Sequence, residues 1–544
     1  MNITSLIFMF FLAAGLLVYY LIPGRFQWEC LLGLSLIFLC AADWRNLLFL
    51  GYVTLVSWSF GLSVEKLLSE EGLSEDREIR KKQKAARAKK AKRRAVLAVI
   101  LLILVLALAK YVPAALGLSV SKVNEALSSR WRFLKLITPF GLSYYLLMSV
   151  SYVLDVYWQR DRAEHSFFRL LLFLCWFPQL TQGPIGRYSR LREQFFGPSE
   201  APAPASHIGE TEDGGAEVSR RSTSDHGSAW DNLKAGVPLI LWGFFKKMVI
   251  ADRIAVFVGR ASSGRQYGLN VLVCLVFYGI ELYCDFSGGI DAVRGMSECF
   301  GIRLAENFRQ PYFSRDLGEF WRRWHISLGA FMKDYVFFPL ALWKPLKLFK
   351  RRLKKHMTGK MASKVIVAVN DLIVFLIVGI WHGAGSRYVG WGIYNGAILA
   401  FSAVMEDTYA AWKRKLGIEE KSKGWQIFRL VRTLIIVTAG WVFDCASTAP
   451  EAIRMFFRLF VMQKSRLTRI FNDPVETWFY LPVLAAACLI LLWVDIRHEK
   501  GISIREKVGK KSFRMQTAVW TFLFQAILLF GRTIGAGGFM YANF

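Results

Sequence analysis

Leu372-Ile373-Val374-Phe375-Leu376-Ile377-Val378-Gly379-Ile380-Trp381-His382-Gly383 is an apolar run that closes on a histidine. The run suits the core of a bilayer, where an ionisable side chain is costly. Such residues face a water-filled cavity or a buried partner, and they mark function. Imidazole is also the side chain whose ordinary pKa suits proton transfer near neutral pH. The other polar residues in apolar surroundings are therefore candidates for the cavity of His382.

Runs of this kind recur from end to end. Of the 544 residues, 54% are hydrophobic and 15% aromatic, more than a set of soluble cores would carry. Stretches long enough for a hydrocarbon layer of about 30 Å fall at 4–22, 96–116, 134–157, 233–258, 268–286, 365–381, 386–406, 427–446, 477–495 and 515–531. The stretch 30–60 is too long for one helix and carries Asp43-Trp44-Arg45-Asn46 at its middle, so two segments should meet there. MNITSLIFMF lacks a basic leader region, which makes 4–22 a retained first span. The expectation is an all-α polytopic integral membrane protein of about ten to twelve transmembrane helices.

Two segments break the pattern. Residues 166–186 are apolar but interrupted by Pro178, Gly183 and Pro184. Broken backbone at membrane depth is tolerated only where protein or a cavity surrounds it, so a re-entrant or kinked element is expected. Residues 311–342 mix charge with Trp321, Trp324, Phe331, Tyr335, Phe337 and Phe338, which predicts interfacial or re-entrant helices. The Pro-, Gly-, Ser- and acid-rich stretch 197–229 cannot bury a core and reads as a disordered loop, with His207 and His226 solvated.

The net charge is +29, from 70 Lys and Arg against 41 Asp and Glu. The bases gather in connecting segments, above all 77–94 and 344–355, as expected of cytoplasmic loops that also meet anionic lipid. That explains the charge without nucleic acid. The arm 64–95 reads as a helix lying along the headgroups. Eight cysteines show no CxxC pairing, which predicts neither a disulfide framework nor a structural metal. GxSxG, HExxH and Walker A patterns are absent.

Two polar clusters remain. In Tyr283-Cys284-Asp285-Phe286-Ser287-Gly288-Gly289-Ile290-Asp291, Asp285 is a helix cap, a partner for a buried arginine, or the lining of a polar cavity. Glu306-Asn307-Phe308 is followed by Phe320-Trp321-Arg322-Arg323-Trp324-His325-Ile326-Ser327-Leu328. His325 there fits an interfacial belt. It also fits a second imidazole that shares proton transfer and substrate orientation with His382. His356 and His498 read as surface residues, and His165 has no evident partner.

Several motifs in order resemble the membrane-bound O-acyltransferases, in particular their bacterial alginate O-acetyltransferase-like branch. They are Trp176-Phe177-Pro178-Gln179 with Gly183-Pro184-Ile185-Gly186-Arg187-Tyr188, then Trp242-Gly243-Phe244-Phe245-Lys246-Lys247 running to Asp252-Arg253. Asp285-Phe286-Ser287-Gly288, Glu306-Asn307-Phe308 with Pro311-Tyr312, the segment Phe320–Leu328 and Trp381-His382-Gly383-Ala384 follow. The resemblance implies a ring of tilted helices around a central catalytic tunnel in the bacterial plasma membrane. It implies transfer of an acyl group from a cytoplasmic thioester, acetyl-CoA or an acyl-carrier protein, with no resident cofactor or metal.

The resemblance makes His382 the essential histidine and His325 its support. Asp285, Ser287, Asn307, Trp381 and Trp324 become candidates for lining the substrate cavity. The implied acceptor is an exported polysaccharide or a teichoic acid, and an extracytoplasmic accessory acyltransferase- or esterase-like protein is an implied partner. Asn395 stands where many relatives carry histidine, which puts a third histidine role in doubt. A transporter or flippase is the rival class, because polar residues and broken helices also suit a conduction path.

Overall fold

The computed structural model describes residues 3–69, 72–111, 139–197, 228–262, 267–461, 470–532 and 539. Among them the chain is helix and connecting segments, with one isolated bridge pairing Phe308 with Trp324. Residues 198–227, nearly all of the expected disordered loop, lie outside the described residues. The chain sorts into two compact units, one from Met1–Val237 and Val293–Ala305, the other from Pro238–Ala292 and Glu306–Ala542.

In the first unit, α1 (Leu6–Leu21) is capped by Ser5, whose hydroxyl accepts from Phe8 N–H at 3.2 Å. The stretch 30–60 divides as expected into α2 (Gln27–Asp43) and α3 (Asn46–Leu68). Arg45 clasps Asp43 in the link, with Nε 2.9 Å from Oδ1. α4 (Arg77–Leu106) starts at Asp76, whose carboxylate accepts from Glu78 N–H and Ile79 N–H.

α4 differs from expectation, because the C-terminal part of the basic arm and the span after it are one helix. Ala, Lys, Arg, Gln and Leu are all strong helix formers, and no Gly or Pro interrupts 77–106. α5 (Leu142–Tyr157) is buried on every face from Leu142 to Val153, as befits a helix inside a bundle.

The broken segment is real. α6 (Phe167–Cys175) and α7 (Phe177–Gln182) part at Trp176, and an extended stretch with Gly183 at φ 86° leads to α8 (Tyr188–Phe196). Protein meets part of its polar surface: Gln179 Nε2 donates to Pro184 O at 2.5 Å, and Trp176 Nε1 donates to Ser297 Oγ at 2.8 Å, while Gln179 Oε1 and the Gln182 amide have no hydrogen-bond partner among the described residues.

α9 (Ala229–Phe244) runs through a π-helical stretch, Phe245–Ala251, into α10 (Asp252–Ser262). α11 spans Leu269–Cys299, well past the expected end at 286. Ser287-Gly288-Gly289 looks like a stop in sequence, yet the glycine serves a contact. A Cβ on Gly243 would lie 2.4 Å from Gly288 O, so the backbones of α9 and α11 touch there. Asp285 is therefore mid-helix and caps nothing.

The 311–342 segment is a chain of short helices: α12 (Leu317–Arg323), α13 (Ile326–Met332) and α14 (Phe338–Leu342), then α15 (Lys344–Leu353) bent by 59° from the preceding pair. α16 (Gly359–His382) and α17 (Ser386–Lys415) form a hairpin. They are followed by α18 (Lys423–Gly440), α19 (Val442–Cys445), α20 (Ala449–Arg458), α21 (Leu481–Glu499), α22 (Ile504–Gly509) and α23 (Phe513–Phe530). Among the described residues nine helices are long and apolar enough to cross a membrane, ten if the bent pair counts as one span. Large apolar side chains such as Leu6, Phe10, Ile435 and Leu489 point outward, which suits a lipid-facing surface.

Candidate functional site

His382 is the last residue of α16, and Gly383 ends the helix. Its ring lies 4.9 Å from that of Trp381 and 5.6 Å from that of Trp391 on α17, at 65° and 76°. The α16–α17 hairpin sets this geometry through a close backbone approach. A Cβ on Gly379 would lie 2.3 Å from Tyr388 O, and one on Gly392 would lie 2.5 Å from Phe375 O.

His325 sits between α12 and α13 with φ 50° and ψ 52°, the left-handed conformation that side chains rarely adopt. Short extended segments hold it there. Ile326 N–H donates to Asn307 O and Arg309 N–H to Arg323 O, each at 3.0 Å. Such strain costs about 1–3 kcal/mol and persists only where the surroundings over-determine it.

Asn307 is fully buried and organises the imidazole. Its Oδ1 accepts from Ser327 N–H and Ser327 Oγ at 2.9 Å each, and it faces His325 Nδ1 at 3.3 Å. Because a backbone N–H fixes that oxygen as an acceptor, Nδ1 carries the proton and Nε2 holds the lone pair, an assignment made from the hydrogen-bond network. His325 Nε2 and Asn307 Nδ2 have no hydrogen-bond partner among the described residues. Asn307→Ala should therefore lower stability by about 1–3 kcal/mol, since it strands two buried donors of Ser327. Thermal unfolding of the detergent-purified protein checks this, and an unchanged midpoint would contradict the role given to Asn307.

The structure brings the two histidines together. The ring of Trp381 is 6.4 Å from that of His325 and 4.9 Å from that of His382. Trp324 is set in an aromatic wall, stacked on Phe320 at 5.5 Å and packed edge-on against Phe308 at 5.0 Å.

Asp285 and Ser287 each accept from a buried lysine. Lys247 Nζ donates to Asp285 at 2.5 Å and pairs with Asp252 at 2.8 Å. Lys246 Nζ donates to Ser287 Oγ at 2.9 Å and to Asp291 at 2.7 Å. Of the readings open for Asp285, the buried cation partner is the one observed, and the cation is a lysine. Phe286, between the two acceptors, lies 4.8 Å from His325 with the rings at 90°.

Asn395 is buried and donates to Trp391 O at 3.0 Å. His165, expected to lack a partner, faces Glu65 at 3.5 Å. His498 accepts from Ile504 N–H at 3.4 Å. Among the described residues no group of three or more His, Cys, Asp or Glu side chains is placed to hold a metal ion.

Sequence reasoning missed Phe286, Trp391, Lys246 and Lys247. The lysines had a signal as strong as that of His382, since they interrupt the apolar stretch from Trp242 to Ile250. Phe286 and Trp391 had none, being aromatic residues in aromatic surroundings.

A many-helix chain that sets one buried and one half-buried imidazole against a single indole has the make-up of a membrane-embedded protein. The sequence model of the membrane-bound O-acyltransferase family matches residues 96–353 of this chain. The matched stretch contains His325 and ends before His382.

Among curated relatives, a probable alginate O-acetylase of Pseudomonas syringae pv. tomato is 28% identical over 401 residues, 73% of this chain and 66% of that protein. A peptidoglycan O-acetyltransferase of Helicobacter pylori is 28% identical over 363 residues, covering 62% of this chain and 59% of that one. A teichoic acid D-alanyltransferase of Bacillus subtilis is 25% identical over 333 residues, 58% of this chain and 73% of that one. The chain thus spans just under two thirds of the Pseudomonas relative's length. With its candidate spans and bacterial relatives, it is a multi-pass bacterial membrane protein.

Proposed function

We propose that this protein is an O-acyltransferase that moves an acetyl group from a cytoplasmic thioester to hydroxyls of an exported cell-surface polysaccharide. The observation that carries the reading is the pair His325 and His382 on either side of Trp381. The named activities of the relatives support acyl transfer as the reaction class.

A hydroxyl is a weak nucleophile until a base takes its proton. His382 takes that proton as the oxygen attacks the thioester carbonyl. The tetrahedral oxyanion needs donors, and Asn307 Nδ2, buried and unsatisfied among the described residues, supplies one. Ser287, whose hydroxyl accepts from Lys246, is the weaker choice. Collapse breaks the carbon–sulfur bond, and the imidazolium returns its proton to the thiolate, leaving an ester and a free thiol. His325 orients the acceptor through the lone pair on Nε2. The apolar helices keep water from competing for the thioester. Membrane lipid and an extracytoplasmic accessory acyltransferase- or esterase-like protein complete the proposed partners.

The second reading is D-alanyl transfer to a teichoic acid from an acyl-carrier protein. It is favoured by α15, whose KPLKLFKRRL sequence presents five basic residues in ten, a surface that suits an acidic carrier. Isolated membranes given labelled acetyl-CoA or labelled D-alanyl carrier protein distinguish the two. Label entering the polymer from acetyl-CoA alone is the expected result, and label from the carrier alone would overturn it. Loss of ester-linked groups from the surface polymer of a deletion strain, read by mass spectrometry, separates either enzyme from a flippase.

A further inference from the structure

We infer that Lys246 and Lys247 are positioning residues for His325 and act through Phe286. The inference rests on the reading of His325 as the supporting histidine of the proposed acyl transfer.

Two adjacent lysines in an apolar helix are unusual, and both are buried here with side chains only 4% exposed. Neighbours on an α-helix point roughly 100° apart, which would send them to different surroundings. They lie instead in the π-helical stretch Phe245–Ala251, where the wider turn spreads successive side chains over less of the circumference. π-Turns of this kind are frequent at functional sites. Both ammonium groups consequently reach the same neighbour, α11.

Their acceptors bracket one residue. Lys247 holds Asp285, the position before Phe286, and Lys246 holds Ser287, the position after it. Each lysine has a second anchor, Asp252 for Lys247 and Asp291 for Lys246. The close Gly243–Gly288 backbone approach lies beside them. Rotation and depth of α11 are therefore fixed around Phe286. That ring and the imidazole of His325 form a T-shaped pair, with centroids 4.8 Å apart and planes at 90°. Among the described residues His325 has one polar tether, Asn307 on Nδ1, and Phe286 packs against its ring. Freeing α11 would let the imidazole swing without removing any group that touches substrate.

Diethyl pyrocarbonate, which acylates neutral imidazole, reports the ring directly in full-length protein in native membranes, read by peptide mass spectrometry. Lys247→Met and Phe286→Leu should each raise the modification rate of His325 by about tenfold, as expected for loosened positioning. His356, at the end of the basic helix, is the control and should not change. The double variant should rise no further than the larger single one, because both changes act on one contact. An unchanged His325 rate in Lys247→Met, or multiplied rates in the double variant, would overturn the inference. If Lys247→Met fails to accumulate, Lys246→Gln unhooks only the other lysine and carries the same test.

Transfer of labelled acetyl from acetyl-CoA in inverted vesicles adds a second readout. The kcat per folded molecule should fall while KM for acetyl-CoA holds within about twofold, since the donor's own contacts are untouched. A rise in KM alone would count against positioning. If wild-type vesicles transfer no acetyl at all, the proposed function fails, while the reactivity comparison still decides the role of the lysines.

Discussion

His382→Ala is expected to abolish acyl transfer while the protein inserts and accumulates as before. A positioned general base contributes about 10²–10⁴-fold, and the unactivated hydroxyl leaves little background. The half-buried site of His382 and its contacts with two indoles suggest that the fold tolerates the truncation. The measurement is ester formation per folded molecule, with folding read by size-exclusion chromatography in detergent. Full activity in the variant would remove His382 from the reaction. Loss of the folded peak instead would mean that the imidazole is part of the packing.

Gly379→Val should have the largest effect on folding. Its side chain would start 2.3 Å from Tyr388 O, a backbone atom that cannot turn aside. Overpacking of this kind costs about 1–3 kcal/mol and more where backbones must part. Separation of α16 from α17 would also carry His382 away from Trp391. Thermal unfolding should fall sharply and activity should vanish with it. A variant that melted like the wild type would show that the hairpin does not set the site. Gly359, with only the end of Lys354 near its missing Cβ, is the control on the same helix.

Much of the architecture was legible because membrane spans are written in composition. Runs such as 365–381 and 427–446 emerged as helices close to the expected places, and the breaks at Trp176 and Gly183 followed from Pro and Gly. The errors share one cause. Helix ends were inferred from where apolar character stops, yet a helix continues until its backbone is capped or contradicted. α4 therefore extends back through the basic run, and α11 extends on through Asp285 and two glycines.

At the site, the two histidines could be singled out because ionisable groups in greasy surroundings stand out. Their joint contact with Trp381 is a tertiary fact with no sequence signature. Ser287 and Asp285 looked like cavity residues for the same reason as His382. Only the position of Lys246 and Lys247 reveals that each also accepts from a buried lysine.

The uninterrupted α4 has a mechanical consequence. Thirty residues at 1.5 Å each make a rod of about 45 Å, longer than a hydrocarbon layer of about 30 Å. One end is studded with lysine and arginine, and the other is fully apolar. With no hinge between them, a pull on the charged end by anionic headgroups becomes leverage on the apolar end and on α3 and α5, which pack beside it. Lipid charge and salt would then adjust the slant of this bundle, making the composition of the bilayer a mechanical input to the protein.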